Sequence, residues 1–209
     1  MSHGHSHGPC SDHAHEHEDP ERGAMFSLYT KIDTTGVECL NERVDGSGKD
    51  VFKPWEDRLN IEKFVESDDD DVELLFNIPF TGNVKLKGIV VIGGEDDTHP
   101  SAMKLYKNRP HMTFDETSLQ ADQEFEMQPD RTGEIDYNVK VAKFNSVYHL
   151  SILFPRNFGA ESTKVFYIGL RGEFMQAQRD AIVITAYEAR ANPADHKTNL
   201  LDGAQHQIR

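Results

Sequence analysis

Long apolar runs are missing from this sequence. Its longest uninterrupted aliphatic stretch, Ile89-Val90-Val91-Ile92, is far short of the ~20 residues that a membrane-spanning helix needs. Cysteine is scarce, with two in 209 residues and no Cys-x-x-Cys, which excludes a disulfide framework and dithiol redox chemistry. Positive charge is also in short supply: 22 Lys and Arg face 36 Asp and Glu, a formal net charge of −14. That balance argues against tracking nucleic-acid phosphates and against docking on an anionic membrane surface. The first residues lack the apolar core of a signal peptide, and no Asn-x-Ser/Thr acceptor occurs. The expectation is an intracellular protein, cytoplasmic and also nuclear.

Catalytic signatures are missing as well. There is no Gly-x-Ser-x-Gly elbow and no His-Glu-x-x-His zinc helix. Gly46-Ser47-Gly48-Lys49 evokes a phosphate loop, but Arg43 stands where its first glycine belongs and Asp50 replaces the Ser/Thr. An aspartate there repels phosphate, so a solvated loop is the better reading. No internal repeat is visible.

What is present is unevenly distributed. Six of the eleven histidines, His3, His5, His7, His13, His15 and His17, fall in the first 17 residues, interleaved with Gly, Ser, Ala and Glu. This stretch has no aromatic or β-branched residue and cannot bury enough apolar area to offset the entropy of ordering. The division that follows is a His-rich disordered tail over 1–22, one domain over 23–191 and a flexible tail over 192–209. Neutral imidazoles on a flexible chain can wrap zinc, nickel or copper, with modest affinity because nothing preorganises them. A solvated tail is the plainer alternative.

The body reads as β. Phe26, Leu28, Thr30 and Ile32 alternate with polar partners, the period of a half-buried strand. Apolar runs at 72–78 and 84–92 are separated by Pro79-Phe80-Thr81-Gly82-Asn83, which predicts a turn. Further strands are predicted at 102–106, 125–127, 135–144, 147–154, 165–170 and 182–187, with a turn or two of helix within 116–124. Many short strands point to an antiparallel sandwich or barrel.

Several residues are candidates for binding. The acidic run Glu66-Ser67-Asp68-Asp69-Asp70-Asp71-Val72-Glu73 lacks the alternate spacing and glycine bend of a calcium loop. It reads as a solvated loop, or as a negative face for a basic partner presented by Asp68, Asp69, Asp70 and Asp71. Ser67 before those acids is a candidate phosphorylation site. Phe52 and Trp55 sit in a polar, proline-containing loop, where an aromatic either packs in the core or anchors an interface. His99, His111 and His149 show no ligand spacing and read as surface or strand residues. Cys39 reads as a small buried hydrophobe.

Longer motifs carry a family likeness. Phe64-Val65-Glu66-Ser67, Phe76-Asn77-Ile78-Pro79-Phe80-Thr81-Gly82-Asn83-Val84-Lys85-Leu86-Lys87-Gly88 and Asn157-Phe158-Gly159-Ala160 resemble the PITH domain, named for proteasome-interacting thioredoxin. So do the stretch Thr163-Lys164-Val165-Phe166-Tyr167-Ile168-Gly169-Leu170-Arg171-Gly172-Glu173-Phe174 and Tyr187-Glu188-Ala189. The likeness spans about residues 22 to 192. It implies an all-β fold, an antiparallel jelly-roll β-sandwich like galactose-binding domains, and a non-catalytic role without a cofactor. In the thioredoxin-like relative this domain docks on the proteasome regulatory particle, whereas the present sequence has no thioredoxin domain. The expectation is a monomeric protein-interaction module whose contacts include Phe52, Trp55, the acidic run, Phe158 and Lys164. The alternative is a small-ligand or metal-binding sandwich with a pocket at its loop end.

Overall fold

The computed structural model describes residues 20–175. The tails, the six N-terminal histidines and the strand predicted at 182–187 lie outside them. A short helix, α1 (Pro20–Met25), precedes eight strands: β1 (Glu38–Leu40), β2 (Val65–Glu66), β3 (Leu74–Gly93), β4 (Ala102–Lys107), β5 (Gln123–Glu126), β6 (Tyr137–Asn138), β7 (Val147–Phe154) and β8 (Lys164–Met175). Every pairing among them is antiparallel.

Strand β3 organises the rest. Its first half pairs with β1 and β7, and β7 continues to β4 and β5. Its second half pairs with β8 and β6, and β8 carries β2 at its other edge. The two leaflets face each other across one core, to which the first contributes Phe76, Ile78, Leu105 and Ile152 and the second Ile89, Val91, Ile168 and Leu170. The expected antiparallel sandwich is therefore the observed architecture.

Each leaflet also buries part of its outer face. Leu75, Tyr106, Met112 and Leu153 form a cluster outside the first. Phe26, Trp55, Val90, Ile92 and Tyr167 form one outside the second. A strand covered on both faces shows a continuous apolar run, as β3 does at 89–92, and not a clean alternation.

The predicted turn at 79–83 is not a turn. The strand continues through it, with the β7 register shifting between Pro79 and Val84. Proline has no N–H to give a ladder, so pairing with β7 falters there, while Pro79 O accepts from Asp33 N at 2.9 Å. Phe80 turns inward to the core and forms an isolated bridge with Ile32. A second irregularity falls between Leu86 and Gly88. Up to Leu86 the even positions face the central core; beyond it Ile89 and Val91 do. This bulge re-phases the strand, and a Cβ at Gly88 would collide with Asp136 Oδ1 and the Arg171 guanidinium.

Three further expectations change. Residues 27–31 form a 3₁₀ turn and not a strand, because Phe26 and Leu28 serve different clusters. Only Tyr137–Asn138 of the predicted 135–144 strand pairs with β3. The helical turn expected within 116–124 sits slightly earlier, at Phe114–Ser118, set by a Thr113–Glu116 capping box.

Trp55 shows how the outer cluster is held. It stacks on Phe26 (4.9 Å, 12°), meets Tyr167 edge-on (6.1 Å) and lies under the Arg58 guanidinium (4.3 Å). Truncating it removes a buried indole from a site that cannot collapse. Trp55→Ala should therefore cost about 3–5 kcal/mol in a urea titration. An unchanged midpoint would mean that this indole is a surface group.

Candidate functional site

The loops that leave β1, β2 and β3 gather at one end of the sandwich with those that enter β4 and β8. The segment between β7 and β8 is tied into this end by backbone bonds. Phe158 N donates to Asp97 O (3.1 Å), Lys164 N to Thr98 O (2.9 Å) and Gly94 N to Lys164 O (2.8 Å). It is also tied to the start of the acidic run: Ser162 Oγ donates to Glu66 Oε1 (2.7 Å), and Ser67 N to Thr163 O (2.9 Å). The segment bearing Phe158 and Lys164 and the acidic run 66–73, both singled out from sequence, thus meet.

Their candidate residues divide sharply. Asp68, Asp69, Asp70 and Asp71 are exposed, as expected of a solvated loop, and Asp69 pairs with Arg43. Lys164 stands at the junction, 3.5 Å from Glu66 Oε2 and 4.8 Å over the Phe64 ring. Phe158 is 39% exposed, with its ring 6.1 Å from His99. Ser67, by contrast, is 0% exposed, and its hydroxyl accepts from Thr163 N (3.0 Å) while donating to Asp68 O (3.2 Å). A kinase has no access to it in the folded domain, which corrects the phosphosite expectation. Phe52 and Trp55 are corrected too. Trp55 is 4% exposed, and Phe52 is buried with its ring edge-on to Phe76. Their polar neighbours face water while both rings turn inward, so neither is a surface anchor.

Other residues at this end were missed. Ile61 is 67% exposed and Val44 64%. Phe64 in the same region is half-buried, held edge-on to Phe166 at 5.7 Å and capped by Lys164. An open groove of about 310 Å³ runs along one side, lined by Ile61, Glu95, Asp96, Thr98, Lys164 and Phe166. Another of about 290 Å³ lies on the other side, between Val44, Phe64, Lys63 and Glu62. Phe64 was visible as part of a family motif. Ile61 carries no local signal, because one aliphatic in a polar loop reads the same whether buried or exposed.

The aromatics in the grooves are partly buried walls, and the polar groups are mostly engaged in ion pairs such as Arg43–Glu66 (3.5 Å) and Lys63–Asp50 (3.2 Å). Among the described residues no three His, Cys, Asp or Glu side chains are placed to hold a metal. Cys39 is packed against the core, and burial pushes its thiol well above the ordinary range, so it is unreactive.

Comparison with known proteins gives the following. A family model described as the PITH domain matches residues 18–191. The chain is 56% identical over 211 residues to the human PITH domain-containing protein 1, covering all of both chains. It is 40% identical to the Dictyostelium discoideum protein of the same name, covering 95% of this chain and 98% of that one. Among solved structures, the CBM32-1 and CBM32-2 domains of Clostridium perfringens ZmpB in complex with GalNAc are 13% identical. That match has a TM-score of 0.49 and covers 70% of this chain and 35% of that one.

Beneath the site, His99 is buried, and its Nδ1 lies 2.7 Å from Pro100 O. A carbonyl only accepts, so Nδ1 carries the proton. Burial pushes this imidazole below its ordinary pKa, partly opposed by the Pro100 bond and the nearby Asp130 charge. His149 in β7 is likewise buried and lowered, first by desolvation and then by His111. Both were read as surface or strand residues; His149 is in a strand, on the covered outer face that it shares with Leu153, and His99 is not at the surface. The exposed His111 faces Glu38 Oε2 at 3.2 Å. An unfolded chain takes up these protons near pH ~6.5, the folded chain only at lower pH. The unfolded state then binds more protons, and stability falls as pH falls from about 7 towards 5. His99→Leu should flatten that slope in denaturation curves, and His99→Leu with His149→Leu should flatten it further. An unchanged slope would contradict the buried neutral assignment.

Proposed function

This chain belongs to the PITH-domain family, and from that premise we propose that it is a non-catalytic protein-interaction module docking through the Val44–Phe64–Ile61 end of its sandwich. One observation carries the reading. Two large aliphatic side chains stand exposed at grooves walled by aromatics, Ile61 beside Phe166 and Val44 beside Phe64, and the two rings are held edge-on to each other with Lys164 over Phe64. Solvent-facing apolar groups on a pre-ordered surface, rimmed by charge, are what a partner can cover at small entropic cost. The partner assembly that the family resemblance implies is the proteasome regulatory particle. We place this activity in the cytosol and nucleus, with the chain acting as a monomer. The grooves flanking Phe64 supply the contact area in this reading.

Capture of the tagged full chain from cytosol, with mass-spectrometric counting of regulatory-particle subunits, tests it. Ile61 is exposed, so Ile61→Asp should leave stability within about 0.5 kcal/mol of the parent. It should nonetheless lower the subunit yield about tenfold, as expected for a central interface residue. Tyr148→Ser, at the opposite end of the sandwich, should not change the yield. Failure to enrich these subunits with the parent chain would reject the proteasome assignment. Equal yields from parent and Ile61→Asp would reject the surface.

A further inference from the structure

The charges around this surface are sorted in a way that describes what should cover it. Most of its cations are already engaged within the chain. Arg43 pairs with Glu66 and Asp69, Lys63 with Asp50, Lys164 with Glu66, and Arg131 with Glu95. Several of its acids are not. Among the described residues Glu62, Asp96 and Asp97 have no cationic partner, and neither do Asp68, Asp70 and Asp71 at the rim. The surplus at this end is therefore negative, and it borders exposed aliphatic side chains.

The position of the surplus matters as much as its sign. Glu95 and Asp96 line the groove beside Ile61, and Glu62 lines the groove beside Val44. The turn carrying Asp96 is fixed: Thr98 N donates to Glu95 O (3.0 Å), and Lys164 backbone bonds clamp both its ends. Each groove is at the small end of ligand-pocket sizes, room for individual side chains more than for a compact cofactor. Both are open, and each has an apolar wall and an acidic wall.

We propose that the occupant is a short segment of a partner protein in which aliphatic side chains alternate with Lys or Arg. It places an aliphatic group against Ile61 and Phe166 and another against Val44 and Phe64, with its cations on Asp96 and Glu62. This rests on the reading of this end as a docking surface and adds the partner's chemistry. Steering by the unpaired carboxylates raises the encounter rate and rejects acidic segments, while the apolar contacts supply most of the affinity. Nucleic acid and anionic membranes fail on charge.

The test uses the full chain and three fluorescein-labelled peptides of equal length in anisotropy titrations near physiological salt. One alternates Leu with Lys, one has Ser for every Leu, and one has Glu for every Lys. The Leu/Lys peptide should bind about tenfold or more tightly than either of the others. The combined Asp96→Lys and Glu62→Lys substitutions, both in exposed positions, should weaken it about tenfold and improve binding of the Leu/Glu peptide. Ile61→Asp should weaken the Leu/Lys peptide without restoring the Leu/Glu one. Equal binding of the Ser/Lys peptide would overturn the proposal as unspecific charge attraction, and equal binding of the Leu/Glu peptide as unspecific apolar adhesion. Absence of binding by all three would overturn it as well. If any of these occurs while Ile61→Asp still abolishes capture of proteasome subunits, the docking surface stands and only the partner chemistry falls.

Discussion

Strand β3 runs for 20 residues through both leaflets and buries side chains on both faces for most of that length. Its polar side chains Thr81, Asn83, Lys85 and Lys87 reach water in the middle of the strand, but the segments 74–78 and 88–93 have almost no polar face to offer, so both sides of those segments must be covered. The central core covers one side. The outer sides need separate cover: the Trp55–Phe26–Tyr167 stack over the second leaflet and the Met112–Tyr106–Leu153 group over the first. Segments with little regular structure of their own, the 3₁₀ turns within 47–57 and the stretch 108–114, supply that cover. The strand can serve both leaflets only if its phase is corrected on the way, and the irregularities at Pro79–Val84 and Leu86–Gly88 make the correction.

That constraint also positions the end proposed for docking. Loop 47–57 is pinned by Val51, Phe52 and Trp55, all buried, and this leaves the following loop 58–64 to project Ile61 outward while Phe64 folds back on Phe166. The C-terminal end of β3 meets the start of β8 beside it, bringing the 94–98 turn against Lys164. Apolar groups, acids and engaged cations converge there through the packing demands of one strand. No local sequence motif assembles them.

The legible parts of the fold were those where local pattern and final environment coincide. β4 and β7 lie where the apolar periodicity put them, within a residue or so. The pattern misled where tertiary cover changed its meaning. Pro79, Gly82 and Asn83 are turn formers by composition, yet Phe80 between them has a place in the core, and the strand bends instead of reversing. Phe26 and Leu28 alternate as in a strand but feed two clusters from a 3₁₀ turn. At the site, the acidic run and Lys164 were legible because charge is exposed wherever the backbone goes. Phe52, Trp55 and Ser67 were not, since burial of a loop residue depends on what packs over it from elsewhere. Ile61 is the converse case.

In the proposed reading, partners contact the end of the sandwich bearing Ile61, 67% exposed, and not the end bearing Tyr148, 49% exposed. Site-specific photo-crosslinking compares the two directly. A benzophenone amino acid is placed at position 61 or at position 148 of the full chain, irradiated in cytosol, and the adducts are separated by mass. Partner adducts from position 61 and none from position 148 are the result expected. Adducts from position 148 alone, or from both positions equally, would rule out the Ile61 end as the specific contact surface.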